Sequence, residues 1–533
     1  MMGIYAPMFF EYRWPNIIKN DFSLHLHRFL ASLTDTRWKL QNKTVLYVTK
    51  EGMKIPEAEA AKNKELVKRL EISVIHWARQ IKDVLAIQDA LEVAENSGPL
   101  DEIKFWRNRC ADMSGITEQL EQEGVKHITR VLELAKSSYV APFVKLSGQI
   151  KVGTQQAESN LKFMNLLEEP CMKLANAKVS EIPSMLPEIL KLIRIIWVNS
   201  DFYNTREKLT AILKKLSNEI IRRCCAEIDL DKIFDGYVQS GRKTLLNCID
   251  CCEQWKNIYE ESAKLHHKFS SVPWVLDHDA IFAQVDAFIK RCWDMLEVCG
   301  AQSHFARQEE GNVGEMPQFA GHKWNEIIRD LNDIKTQFEK CHRLLRAHRK
   351  YALDVMQSFW HEAYRRFQAG IRDLEVMMQN AIITAFKTVT TVQGGVELLE
   401  VFVHLSSREV IYNILAKLTT ELCRLFTEEM NAVKRDMASK DDYRSPSFPK
   451  YAGSAHFARM MKNRVQKTMN ILERSYFLPK TGIKDDVRTQ FKALMLAIDE
   501  YIQKTYAEWK ALSIKVGLFL YTYYLLLLRL HWL

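Results

Sequence analysis

From about residue 62 onward, apolar residues return every three or four positions almost without interruption. That period matches the 3.6 residues of an α-helical turn and not the alternation of a strand. Val74, Trp77, Ile81 and Val84 form one such stripe, and Leu186, Ile189, Ile193 and Ile196 form another. A third runs through Leu209, Leu213, Leu216 and Ile220, with Asn204 and Glu207 spaced ahead of it as a capping box. Punctuation is scarce: 19 Gly and 13 Pro in 533 residues are too few for the many turns of an all-β chain. The expected fold is therefore all-α. The stripes are short, drift in phase and show no fixed repeat, so bundles fit better than one continuous coiled coil.

Residues 99–120, PLDEIKFWRNRCADMSGITEQL, raise the question of chemistry against mechanics. Ile103, Trp106, Cys110, Met113, Thr117 and Leu120 make one narrow apolar stripe. Arg107, Arg109, Asp112 and Glu118 fall off it. Pro99 opens the run, and Asp101 and Glu102 lie in its first turn, where acids favour the positive helix end. A packing seam accounts for these residues without any reaction.

Residues 1–60 differ from the rest. Phe22, Leu26, Phe29, Leu30 and Leu33 follow a helical period, and TVLYV at 44–48 is β-branched and aromatic, a strand candidate. A small mixed α/β segment is expected there. Two polar stretches, 306–318 and 438–453, carry the Gly, Pro, Ser and charge of surface loops. They suggest helical blocks over 61–305 and 319–512. Residues 513–533 stand apart: VGLFLYTYYLLLLRLHWL at 516–533 has 13 uncharged residues, Val516 to Leu528, before Arg529. A spanning helix needs about 20 apolar residues. One reading is a tail anchor with Arg529 and His531 at the interface; the other is a terminus foreign to the preceding domain.

Motifs that carry chemistry are weak. GYVQSGRKT at 236–244 approaches a phosphate-binding loop, but Arg242 stands where Lys belongs and no strand precedes it. CIDCCEQW at 248–255 holds a C-x-x-C from Cys248 to Cys251, yet the adjacent His266 and His267 do not supply the second ligand pair of a zinc site. Cys248 and Cys252, four apart, suit one apolar helix face. His25 and His27, two apart, diverge by about 200° on a helix and cannot share a metal. Glu168–Glu169 and Glu428–Glu429 read as solvated helix surface. No catalytic, cofactor-binding or metal-binding residue is expected. The 11 cysteines, odd in number, with no basic and apolar leader at the start, read as reduced intracellular thiols.

The net charge of +9, from 75 basic and 66 acidic residues, permits an acidic partner without demanding one. The densest basic run, KCHRLLRAHRKY at 340–351, would turn Leu344, Leu345 and Tyr351 inward and its cations to solvent. Arg and aromatic residues do not interleave as on a nucleic-acid platform.

EISVIHWARQIKDVL at 71–85, GPLDEIKFWRNRCADMSGITEQL at 98–120 and VLELAKSSYVAPF at 131–143 resemble, in order, the opening of the dynein heavy chain tail. The Trp–x–x–Gln–Ile helix of that family is matched by Trp77, Gln80 and Ile81, and its Phe/Tyr–Trp–Arg core by Phe105, Trp106 and Arg107. SLHLHRFLASLTDTRWKLQNKTVLYV at 23–48, LIRIIWVNSDFYNTREKL at 192–209 and AGSAHFARMMKNRV at 452–465 extend the match, from about residue 3 to about residue 512. WRNRC, VKHITRVLELAKSSY and IIWVNS are most similar to the axonemal inner-arm, heavy-chain-2 type. The resemblance implies an elongated series of helical bundles that catalyses nothing itself. It implies pairing with another heavy chain at the 1–60 end, and binding of WD-repeat intermediate chains and light or light intermediate chains further on. The axonemal microtubule would be held indirectly, in the cytoplasm and cytoskeleton of the cilium. Neither nucleic acid nor membrane is expected among the partners. It further implies a chain that stops before the linker and nucleotide-binding ring, with a last twenty or so residues foreign to the family.

Overall fold

The computed structural model describes residues 21–22, 25–26, 29–30, 33, 45–49, 53–269, 276–306, 308–309, 312–313, 324–439, 449–476 and 485–530. Its longer helices are α1 (Lys64–Ala90), α2 (Pro99–Leu120), α3 (Glu123–Leu134), α4 (Val140–Asn176), α5 (Ile182–Asn199), α6 (Arg206–Glu227) and α7 (Val238–Phe269). They continue as α8 (His278–Ala301), α9 (Trp324–Arg346), α10 (Phe359–Lys387), α11 (Val392–Val401), α12 (Glu409–Ala438), α13 (Lys450–Arg474) and α14 (Asp485–Leu530). Strand pairing among the described residues is limited to a two-residue antiparallel bridge, Gln308–Glu309 against Asn312–Val313. The protein is all-α.

The expected mixed α/β segment at 1–60 lies largely outside the described residues, and its strand candidate is corrected where it is described. Residues 45–49, covering most of the TVLYV candidate, form no strand. Helix side chains take the place of a neighbouring strand. Trp77 Nε1 donates to the Tyr47 carbonyl at 2.9 Å, and Gln80 Nε2 to the Val45 carbonyl at 3.2 Å. The Leu46 N–H donates to Gln119 Oε1 at 2.7 Å, with the Leu46 side chain buried beneath. Backbone polar groups next to a core must find partners, and here α1 and α2 provide them. The described residues between 21 and 33 are helical, but Phe22, Leu26, Phe29 and Leu33 of their stripe are exposed. His27 lies outside the described residues.

Contacts divide the chain into two compact units, one of residues 1–228 and 244–292, the other of 229–243 and 293–533. In the first, Leu70, Trp77 and Ile81 of α1, Met113 and Ile116 of α2, Ile128 of α3, and Phe143 and Ile150 of α4 share one core. Trp77 and Phe143 meet with ring centroids 5.8 Å apart. Helix starts follow local chemistry. Asn63 accepts the Glu65 and Leu66 N–H groups at the head of α1. Pro99 occupies the first position of α2, where no N–H is needed, while Asp101 accepts the Gly98 N–H at 2.9 Å. The Asn204–Glu207 box does not form. Thr205 occupies the cap of α6 without a side-chain bond, and the Asn204 N–H is taken by the Ser200 carbonyl at 3.0 Å. The stripes on α5 and α6 lie buried as expected, and on α1 only Val84 sits at the margin.

In the second unit α9 packs on α10, α10 on α12, and α13 on α14. Phe338, Trp360, Phe367 and Phe426 are buried there. Leu345 is buried, but Leu344 is 64% exposed, which corrects its inward assignment: adjacent helix positions lie 100° apart and only one faces α10. Two cations of the basic run, Arg346 and Arg349, form ion pairs with Asp235 and Asp231. α14 changes character midway. Val487, Leu494, Ile498 and Thr505 are buried, whereas every side chain from Tyr506 to Leu526 is exposed. Among the described residues no helix is long and apolar enough to cross a membrane, which disfavours the tail-anchor reading.

Candidate functional site

The crowded stretch of α2 is an internal cross-link. Trp106 and Ile103 point into the first unit's core, and Glu102, one turn before Trp106, lies half-buried beside them. Tyr203, in the turn between α5 and α6, donates its hydroxyl to Glu102 Oε1 at 2.7 Å and accepts from Trp106 Nε1 at 2.5 Å. Lys215 of α6 caps Glu102 Oε2, and the two charges are 10% and 13% exposed. Burial, then the Glu102 charge, holds the Tyr203 hydroxyl far above its usual pKa, so it remains a donor. Each member of this network has a partner, the condition under which buried polar groups hold packing in one arrangement. Phe202 stands edge-on to Trp106 at 5.0 Å, and Arg109 lies 5.8 Å over the same indole while donating to the Gln88 carbonyl at 2.9 Å.

The seam differs in detail from the spacing that predicts it. Ile103, Trp106, Met113, Ile116 and Leu120 are buried, while Cys110 and Thr117 sit at its edge. α2 packs against both α4 and α6, so its apolar face is wider than a single stripe and takes in Ile116. Tyr203 and Lys215, 97 and 113 residues from their partners, carried no local signal. A cleft of about 570 Å³ opens beside the network, lined in part by Phe105, Phe202, Lys208 and Lys214. Of its charged lining, Glu102 and Lys215 already neutralise each other.

A second cluster has the composition of a hydrolytic site but the wrong proton arrangement. His304 lies in a short π-helical turn, Gln302–Ala306, after α8. Its Nε2 is 2.9 Å from Ser407 Oγ, and Arg408 Nε donates to its Nδ1 at 3.0 Å. Arginine has no acceptor, so Nδ1 must accept and the ring proton sits on Nε2, directed at the serine. A general base needs the reverse tautomer. Burial, then the charges of Arg408, His404 and Arg242, lowers the His304 pKa to about 4. Arg408 is itself paired with Glu375 at 2.6 Å. Two residues earlier on the turn, Gln302 Nε2 lies 2.6 Å from His342 Nε2, whose ring is also held to about 4, chiefly by burial.

The cysteines of the C-x-x-C motif are core thiols. Cys248, Cys251 and Cys252 of α7 face Cys224 of α6, all buried, and Cys248 Sγ donates to the Cys224 carbonyl at 3.8 Å. Contacts with these three thiols, and burial, push the Cys224 thiol far above its ordinary pKa. Burial lifts Cys171 and Cys299 to about 12. Thiols held protonated are poor nucleophiles and poor metal ligands. None of the 11 cysteines is in a disulfide, and no group of three or more His, Cys, Asp or Glu among the described residues could hold a metal ion. The phosphate-loop look-alike is helical from Val238 onward. Gly241 lets α7 approach Ile233, where an added Cβ would meet Cγ1 at 2.5 Å. The paired glutamates do not converge: Glu168 takes Arg107 at 2.7 Å, Glu169 takes Lys173 at 2.8 Å, and Glu429 takes Arg464 at 2.9 Å.

Fold and side chains together define a class: long packed helices locked by buried cross-links, with polar clusters committed to one another. The comparisons name it. Residues 67–515 match the family described as dynein heavy chain, N-terminal region 1. The chain belongs to that family. It is 41% identical over 513 residues to the Dynein-1-beta heavy chain of the flagellar inner arm I1 complex of Chlamydomonas reinhardtii, covering 96% of this chain and 11% of that one. It is 40% identical to Dynein axonemal heavy chain 2 of Mus musculus, over 96% of this chain and 10% of the relative. The human Dynein axonemal heavy chain 2 is likewise 40% identical, over 95% and 10%. The chain thus spans about a tenth of the length of the curated relatives it matches.

Proposed function

We propose that this chain forms the tail of an axonemal dynein heavy chain and acts as a non-catalytic assembly scaffold. In that role it pairs with a second heavy chain and carries WD-repeat intermediate chains and light or light intermediate chains. It thereby links a motor to a doublet microtubule in the ciliary or flagellar axoneme. The observation that carries this reading is the family match over 67–515, laid on helices whose polar clusters are internally paired. Packed helices joined by a buried network resist bending, which suits a part that transmits force made elsewhere. Leu26, Phe29 and Leu33 are exposed in the segment proposed for heavy-chain pairing, and an exposed apolar stripe suits a partner helix. The test is affinity purification of the tagged chain from ciliated cells. Recovery of a second heavy chain with WD-repeat intermediate chains is expected; recovery of neither overturns the scaffold reading. Purified protein should show no thermal shift with ATP, and a clear shift would count against a non-catalytic role.

A further inference from the structure

We propose that the distal half of α14 is a self-association seam whose occupant is the same helix of a second copy of this chain. The first half of α14 buries Ile498 and Thr505 and half-buries Ile502 within the second unit. The stripe continues beyond the point where that cover ends. Trp509, Leu512, Val516, Phe519, Tyr523 and Leu526 follow at spacings of three, four, three, four and three. That is a heptad register, which places all six within about 100° of one another around the helix. They are 48%, 48%, 48%, 70%, 56% and 59% exposed.

A second copy is favoured over other occupants for three reasons. The seam continues an intramolecular interface in nearly the same register, so the helix needs no new face. Six side chains of this size and the flanking Leu520, at roughly 100 Å² apiece, give about 700 Å² on each helix, close to one side of a stable dimer interface. A bilayer is poorly served, since no described helix is long and apolar enough to cross one, and Lys510 and Lys515 stand exposed beside the seam. In a parallel pair such cations fall outside the a and d layers and remain in water.

The experiment is light scattering coupled to size exclusion on the full chain, with two variants that introduce the same charge. Val516→Glu with Tyr523→Glu strikes the seam; Leu518→Glu with Tyr521→Glu strikes the opposite side of the same turns. All four positions are exposed, so the variants should keep the parent's helical circular dichroism. The parent should have the mass of two chains, the seam variant that of one, and the off-seam variant that of two. A parent of single-chain mass overturns the proposal. So does equal loss of association in both variants, which would mean general apolar stickiness. Co-flotation of a single-chain parent with phosphatidylcholine vesicles would give the seam to lipid instead and equally overturn it.

Discussion

Trp106 and Trp509 are indoles on long helices, each with apolar neighbours three and seven residues away, yet one is 3% exposed and the other 48%. α2 lies between α4 and α6, and the polar edge of Trp106 is accepted by Tyr203. Among the described residues, nothing covers the distal part of α14 over the turns that carry Trp509, and its side chains there are exposed. The difference shows what a periodic stripe establishes. It says that a helix has a face to bury and leaves open what buries it.

The contrast can be broken most sharply at the network. Trp106→Ala should destabilise the first unit by about 3–5 kcal/mol, the cost of emptying a large core site, read from urea unfolding. A loss under about 1 kcal/mol would mean that the indole is not the packing element described here. Lys215→Met should cost a similar amount, about 3–5 kcal/mol, because it leaves Glu102 buried without its counter-charge. Recovery of that loss in the Glu102→Gln, Lys215→Met double variant would identify the pair as the cause.

Next in size is a pH effect confined to the second unit. His304 and His342 have folded pKa values of about 4 against roughly 6.5 unfolded, so between these values the unfolded chain binds more protons. Stability from these rings is therefore complete above about pH 6.5 and lost as pH falls toward 4, by roughly 3 kcal/mol per ring. Replacing both by Gln should flatten the unfolding free energy across that window; an unchanged slope would exclude these rings as its source.

Smaller again, Tyr203→Phe should cost about 1–3 kcal/mol, since it strands the Trp106 N–H and one oxygen of Glu102. Smallest of all, Trp509→Ala should change the unfolding of dilute chain by less than about 0.5 kcal/mol, as exposed substitutions do. A multi-kcal/mol loss there would mean that the distal α14 is covered within its own chain, and the comparison with Trp106 would collapse.

Much of the helical frame was legible. The α5 and α6 stripes are buried residue for residue; on α6 the buried face is wider than the stripe and takes in Ile212, Lys215 and Glu219, because more than one helix packs on it. On α2, Ile116 is buried and Cys110 sits at the edge, against the simple stripe, because two neighbours widen the face. The strand candidate at 44–48 misled for a related reason. Its β-branched and aromatic residues favour a pleated surface, but a strand needs a partner backbone, and α1 and α2 offered side-chain amides and an indole instead. The neutral His304 and the Glu102–Lys215 pair were not legible at all, since their partners lie about 100 residues away.

The order of residues alone determined that the chain is helical and where its faces lie, because the 3.6-residue turn writes itself into the spacing of apolar side chains. It also carried the family, through motifs in fixed order. Tertiary structure decided which faces are covered, which histidine nitrogen holds the proton, and which charges neutralise one another. Those properties depend on distances between side chains remote in sequence, and local spacing does not encode them.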